Sequence, residues 1–229
     1  MGALAVVVFM VVGIGVSIRA VIKRDEPVPR ARRASQRRLW NSFARRRGLH
    51  YEPGPDPALG RSFRYLQLAG NVSDAATGWA AWDIVNGNRR GRAVLMLTVS
   101  FRDPEKNRDR HLSVAAVQAA DQPLPDLRIR PEGTKTRLGN LFRNEDIDLD
   151  SIEFSRAFEL ASPDRRFATE FCGPAVIDFL LARPSMELET YGPWLLTATE
   201  GPTDPGEVEA NLDLLFDLLD VVPAHVLER

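Results

Sequence analysis

Residues 79–102 read WAAWDIVNGNRRGRAVLMLTVSFR and decide the fold class of this chain. Two β-prone runs, 79–86 and 92–102, flank the turn-forming stretch 87–91, whose sequence is GNRRG. This arrangement is typical of an antiparallel hairpin. Because side chains alternate between the two faces of a strand, the second run places four large apolar residues on one face: Leu95, Leu97, Val99 and Phe101. The hairpin therefore predicts an antiparallel sheet as the core.

Shorter runs on both sides of the hairpin extend the predicted sheet. No long helix separates the early runs, as parallel crossovers would require. The additional strand candidates are 63–69, 111–119, 126–130, 153–161, 186–190 and 194–199. The chain is thus predicted to form an antiparallel, hairpin-connected sheet.

Helical signals come late in the chain. Ser162-Pro163-Asp164 predicts a helix N-terminus with proline at the first helical position, and Gly173-Pro174 predicts a break before a second piece at 175–182. Asp204-Pro205-Gly206-Glu207 predicts the capping box of a last helix. That helix carries an acidic stripe, which we assign to solvent, with a basic partner protein as the alternative: Glu209, Asp213, Asp217 and Asp220.

Charge is separated along the chain. Residues 1–47 contain eleven Lys/Arg against Asp25 and Glu26, a net +9, so residues 48–229 carry −10 of the overall −1. This separation indicates an anionic surface near the basic arm and disfavours nucleic acid as a partner of the acidic remainder.

The N-terminal run 3–22, ALAVVVFMVVGIGVSIRAVI, is long and apolar enough to predict a transmembrane helix. A cleavable signal peptide is the alternative, but no basic residue precedes the run and no cleavage site follows it. The basic residues beyond the run predict, by the positive-inside rule, that the N-terminus is outside and the C-terminal domain is cytoplasmic. We therefore expect a single-pass protein of the cell membrane.

A basic amphipathic helix is predicted for Ser35 to Arg47, with Gly48 as its C-terminal stop. Its apolar face is predicted to lie on lipid or to dock onto the domain that follows, and the sequence leaves both options open. The predicted membrane-contacting residues are Arg19, Lys23, Arg24, Arg37, Arg38, Leu39, Trp40 and Phe43.

Three regions are expected. Residues 1–24 form the transmembrane anchor, residues 25–57 form the basic juxtamembrane arm with a Pro-rich linker, and residues 58–229 form the acidic α+β domain. The predicted fold class is α+β, with an N-terminal transmembrane helix followed by a cytoplasmic antiparallel-sheet domain with late helices.

The stretch 154–168, FSRAFELASPDRRFA, resembles the signature of an uncharacterised domain family of bacterial single-pass membrane-anchored proteins. The resemblance extends over about residues 38–223 and implies a proline-interrupted helix, a short hairpin and a final helix after the motif. It implies no reaction. Arginine outnumbers lysine 27 to 3, which is typical of a high-GC bacterium. The motif also has a purely structural interpretation, in which Phe154, Phe158 and Leu160 face the core at strand spacing.

The sequence offers no recognisable chemistry. The histidines have no neighbouring ligands at metal-binding spacing, the run 146–150 lacks the glycine and the glutamate of a calcium loop, and Cys172 lies in an apolar helical context. We therefore predict no catalytic residue, metal or cofactor.

The expected function is a non-enzymatic interaction or scaffold domain at the inner membrane face, with anionic lipid and an unidentified protein as partners. The alternatives are a membrane-anchored enzyme such as a hydrolase and an accessory subunit of a larger membrane complex.

Overall fold

The computed structural model describes residues 30–65, 76–132, 151–201 and 204–228. The strands are β1 (His50–Glu52), β2 (Thr77–Arg89), β3 (Arg92–Asp103), β4 (Arg108–Gln118), β5 (Arg128–Pro131), β6 (Phe158–Ala161), β7 (Leu188–Tyr191) and β8 (Trp194–Glu200). The helices are α1 (Arg30–Arg46), α2 (Pro57–Ser62), α3 (Ile152–Ala157), α4 (Arg165–Phe171), α5 (Pro174–Leu181), α6 (Pro205–Leu219) and α7 (Ala224–Leu227). A 3₁₀ turn follows α2 at Phe63–Tyr65.

The predicted hairpin is confirmed as β2 and β3, with Arg89 paired to Arg92. Its turn is only two residues long, since Arg90 (φ 51°) and Gly91 (φ 80°) both take the left-handed conformation that such turns require. Gly87 remains within β2. A Cβ atom there would lie 2.6 Å from Cδ2 of Leu49, so a larger residue would have to displace the Leu49 side chain.

All eight strands join one antiparallel sheet in the order β1-β2-β3-β4-β8-β7-β5-β6. The late hairpin β7–β8 therefore pairs with β4, and β5 lies between β7 and β6. The α+β class and the antiparallel sheet are confirmed.

The two faces of the sheet carry different cores. One face packs under α1, α4, α5, α6 and α7, and includes Val85, Met96 and Val117 from the sheet together with Phe167 and Leu215 from the helices. The opposite face is apolar along β3, β4 and β8 and is contacted by α2. It includes a stacked pair, Trp79 of β2 and Phe101 of β3, whose ring centroids are 4.3 Å apart. The apolar face predicted for β3 belongs to this second core.

Two strand predictions need correction. Phe63–Tyr65 forms a 3₁₀ turn because Phe63 ends α2 and is buried in the second core, and residues 66–69 lie outside the described residues. In the run 153–161, the first half forms α3, capped by Ser151, and only the second half is strand β6. Phe154 and Phe158 are four residues apart, a spacing that suits a helix as well as a strand, and their rings stack at 5.2 Å.

The last helix begins as predicted, whereas α4 begins at Arg165, after Pro163 rather than with it, because Asp164 is the cap. Asp164 caps α4 by accepting the Phe167 N–H at 2.9 Å, and Asp204 caps α6 by accepting the N–H groups of Gly206 and Glu207. The Pro174 break separates α4 from α5.

The transmembrane part of the fold prediction has to be corrected. In the ranges that the structure describes, no helix is both long enough and apolar enough to cross a membrane. The first described helix, α1, has seven arginines among its seventeen residues, each costly in a bilayer core. Residues 1–24, on which the predicted anchor and its orientation rested, lie outside the described residues, and the single-pass description is not retained.

Candidate functional site

The helix α1 is divided lengthwise into an inward and an outward half. Trp40, Phe43 and Ala44 are spaced three and four residues apart and point into the first core, with exposed fractions of 0%, 3% and 0%. The rings of Trp40 and Phe43 meet edge to face at 6.0 Å. The inward half is thus an integral part of the domain core.

Charge also fixes this half of the helix. Arg47, directly after α1, forms a two-pronged ion pair with Glu209 of α6, and its Cζ lies 4.1 Å from the centroid of the Phe43 ring. The Glu209 hydrogen bonds raise the pKa of Arg47. Arg89 donates to the same carboxylate at 3.3 Å, and its Nη2 lies 2.8 Å from Oδ1 of Asp213, an ion-pair distance without hydrogen-bond geometry. Three elements therefore meet at Glu209: α1, the β2–β3 hairpin and α6.

A buried carboxyl lies beside the first half of α1. Asp83 occupies a bulge in β2 with φ 50°, is 9% exposed, and accepts a hydrogen bond from the Tyr51 hydroxyl at 2.8 Å. Burial raises the pKa of Asp83, and the Tyr51 bond and the nearby charge of Arg37 only partly oppose this effect. Burial also raises the pKa of Tyr51. The sequence gives no signal for this pair, because a bulge is invisible in an alternating pattern.

The outward half of α1 is polar and basic. It consists of Arg38, Asn41, Ser42, Arg45 and Arg46, all exposed, which line a shallow, open depression. Nη1 of Arg46 donates to Oγ of Ser42 at 2.6 Å. In the parts of the chain that the structure covers, neither Arg38 nor Arg45 has a carboxylate partner. We call these five residues the outward face of α1.

Leu39 borders the outward face and is 58% exposed. Within the described ranges, it shares this degree of exposure with one other large apolar side chain, Ile152 at the start of α3. An exposed leucine next to unpaired arginines combines apolar and cationic groups on one surface.

The predicted membrane-contacting residues thus separate into three groups. Trp40 and Phe43 are corrected to core residues, because burial leaves them no surface for lipid. Arg38 and Leu39 lie on or beside the outward face, and Arg37 is exposed near Asp83. Arg19, Lys23 and Arg24 lie outside the described residues.

The acidic stripe of α6 is only partly available to solvent or to a partner. Glu209 and Asp213 face Arg47 and Arg89 within the domain, and Asp220 is 3.9 Å from Arg90. Asp217 is exposed. Three of the four acidic residues therefore pair with arginines of the same domain, although the sequence pattern assigns the whole stripe to solvent.

A second charged cluster lies at the opposite end of the sheet. Arg110 is buried, pairs with Asp103 at 3.4 Å and with Glu200 at 3.0 Å, and lies over Phe101. Burial alone would raise the pKa of Asp103, but hydrogen bonds from the Lys106 N–H, from Arg110 and from the Glu105 N–H hold the pKa below its ordinary value. This cluster is internally neutralised and secures the ends of β3, β4 and β8.

The described part of the molecule has neither a metal-binding cluster nor a reactive cysteine. No group of three or more His, Cys, Asp or Glu side chains there is arranged to hold a metal ion. The Cys172 thiol is buried, and burial raises its pKa to about 12, which suppresses the thiolate that a nucleophile needs. The calcium-like run 146–150 lies outside the described residues.

Comparison with known proteins finds a related fold. The crystal structure of the mycobacterial trehalose monomycolate transport factor A, TtfA, aligns with a TM-score of 0.55 and 20% sequence identity, and the alignment covers 82% of this chain and 97% of that chain. No protein-family model and no curated protein matches the chain. At this identity the likeness establishes a shared fold alone, and the resemblance to an uncharacterised bacterial family stays a prediction.

Proposed function

We propose that this chain is a non-enzymatic accessory domain of a membrane transport system, which binds a partner protein and rests with the outward face of α1 against an anionic membrane surface. The fold shared with a protein named as a transport factor supports the first part. The division of α1 supports the second part and is the observation that carries the proposal.

The reason lies in how the arginines are used. Arg47, Arg89 and Arg110 serve the fold, and each has a carboxylate within 4 Å. The arginines of the outward face are instead turned to solvent on a helix that contains no Asp or Glu. Near an anionic bilayer each such arginine contributes about 1 kcal/mol of attraction, so three together strengthen binding about a hundredfold.

The rigid mounting of α1 suits this role. Trp40 and Phe43 in the core and the Arg47–Glu209 pair fix the rotation of the helix about its axis. The outward face is therefore held in one direction relative to the sheet, and a partner protein bound elsewhere on the domain would sit at a set orientation to the membrane.

Co-purification of the full chain in mild detergent tests the accessory role. We expect a membrane transport protein to be enriched with the wild-type chain and with the control Arg61→Glu/Arg165→Glu, which reverses two exposed arginines elsewhere. Recovery of the same protein should be unchanged with Arg38→Glu/Arg45→Glu, because the partner binds elsewhere on the domain. Absence of any transport protein from all three preparations would overturn the proposal.

A further inference from the structure

We infer that the outward face of α1 binds the phosphate groups of anionic lipid headgroups. This inference rests on the proposed function, in which this face lies against a membrane. It replaces a general attraction to negative charge with a defined ligand chemistry and names two uncharged residues, Asn41 and Ser42, as part of the site.

The arrangement of donors supports phosphate. Positions 38, 41, 42, 45 and 46 are spaced so that they share one face of a helix, with Ser42 at the centre. Two of them, Arg46 and Ser42, are already in contact, since Nη1 of Arg46 donates to Oγ of Ser42 at 2.6 Å. Guanidinium groups bind phosphate oxygens in pairs, and a serine hydroxyl and an asparagine amide add further donors.

The electrostatic surroundings support an anion from outside the chain. Four arginines elsewhere in the fold share two carboxylates: Glu209 pairs with Arg47 and Arg89, and Glu200 pairs with Arg108 and Arg110. In the described part of the molecule no carboxylate approaches Arg38 or Arg45. A ligand with several oxygens and a negative charge complements this surface.

Leu39 favours a lipid as the source of the phosphate over free phosphate or an acidic protein segment. It follows Arg38 along the helix and flanks Ser42 and Arg46, and 58% of its surface is exposed. On a helix lying in the interface plane, such a side chain enters the acyl boundary while the arginines stay at the headgroups. A soluble anion would leave Leu39 without a role.

Flotation with vesicles of defined headgroup tests the inference. Neutral glycolipid vesicles are made equally anionic with either phosphatidic acid or oleate, matched by zeta potential, so that only the phosphate differs from the carboxylate. We expect the full-length chain to bind the phosphatidic acid vesicles several-fold more tightly. Equal binding to both would show that charge alone is recognised and would overturn the inference.

Substitutions locate the site. Arg38→Gln/Arg45→Gln should weaken binding to phosphatidic acid vesicles about 25-fold, given about fivefold for each arginine. Ser42→Ala should reduce the preference for phosphate over carboxylate, and Leu39→Ser should weaken vesicle binding. The control Arg61→Gln/Arg165→Gln should bind as the wild type does. If the α1 variants match this control, the inference is wrong.

Further outcomes distinguish lipid phosphate from free phosphate, and the lipid inference from the accessory role. Competition by inorganic phosphate against the vesicles, with no effect of Leu39→Ser, would identify a free-phosphate site and contradict the lipid assignment. Failure to bind any vesicle, with the transport protein still recovered in detergent, would overturn the lipid inference and leave the accessory role standing. Vesicle binding without a co-purified transport protein would overturn the accessory role and leave the lipid inference standing.

Discussion

Large apolar and basic side chains occur on both sides of the α1 segment, but the two sides use them in opposite ways. On the inward half, Trp40 and Phe43 are buried and the following Arg47 is paired with Glu209. On the outward half, Leu39 is exposed and Arg38 has no carboxylate partner in the described residues. Residue type alone therefore does not distinguish a structural arginine from an available one, whereas the presence of a carboxylate from a distant element does.

The largest loss of stability is expected from a substitution on the inward half of α1. Trp40→Ala removes the most completely buried aromatic side chain of α1 and should lower the free energy of unfolding by about 3–5 kcal/mol, measured by urea titration. The matched change on the other half, Leu39→Ala, should cost less than about 0.5 kcal/mol. Equal costs for the two variants would mean that α1 does not pack as described.

The next effect concerns the charges that secure α1. Glu209→Gln leaves Arg47 and Arg89 without their shared carboxylate and should destabilise the domain by about 1–2 kcal/mol, since both arginines are partly solvated. Asp217→Asn on the exposed side of α6 is the control and should change stability by less than about 0.5 kcal/mol. Added salt should reduce the destabilisation caused by Glu209→Gln, because it screens the ion pairs of the wild type.

The stability contributions of Asp83 and Asp103 should depend on pH in opposite directions. Its native pKa is raised, so the wild type loses stability relative to Asp83→Asn as the pH rises from the ordinary aspartate pKa through the raised one. Asp103 has a lowered native pKa, so the wild type gains stability relative to Asp103→Asn as the pH rises through that lowered value toward the ordinary one. Urea titrations across acid and neutral pH should show opposite slopes, and slopes of the same sign would contradict the two environments.

The smallest expected effect is on the outward half. Arg38→Gln/Arg45→Gln should leave the free energy of unfolding within about 0.5 kcal/mol of the wild type, because these side chains make no ion pair in the described structure. Thermal or urea unfolding checks this directly. A clear loss of stability would show that the outward face serves the fold, and a lower vesicle affinity in the same variant would then have a structural cause.

Local signals predicted much of the fold. The β2–β3 hairpin follows from alternation and a turn with two left-handed residues, and α4 and α6 follow from Asp164 and Asp204 as caps. The order of β5, β6 and β7 was not predictable, because it depends on pairing between residues far apart in sequence. The helical half of 153–161 was missed because a spacing of four residues fits a strand and a helix equally.

Less of the candidate site was predictable. The basic amphipathic character of α1 was evident in the sequence, but its orientation was not, since lipid and domain core both accept Trp40 and Phe43. The orientation depends on core residues from distant elements that bury Trp40 and Phe43, and on the Arg47–Glu209 pair, whose members are 162 residues apart. The bulge at Asp83 gave no sequence signal because its positive φ is carried by a residue other than glycine.

The Arg47–Glu209 contact also sets an order of events during synthesis. A ribosome that adds about 5–20 residues per second needs roughly 8–32 s to reach position 209 after position 47 has been made. Throughout that interval α1 exists without the carboxylate that later orients it, and its tryptophan lacks the C-terminal helix that completes its surroundings. The nascent chain therefore passes through a period in which both halves of this helix are accessible to chaperones or to a membrane, and only the finished protein hides one of them.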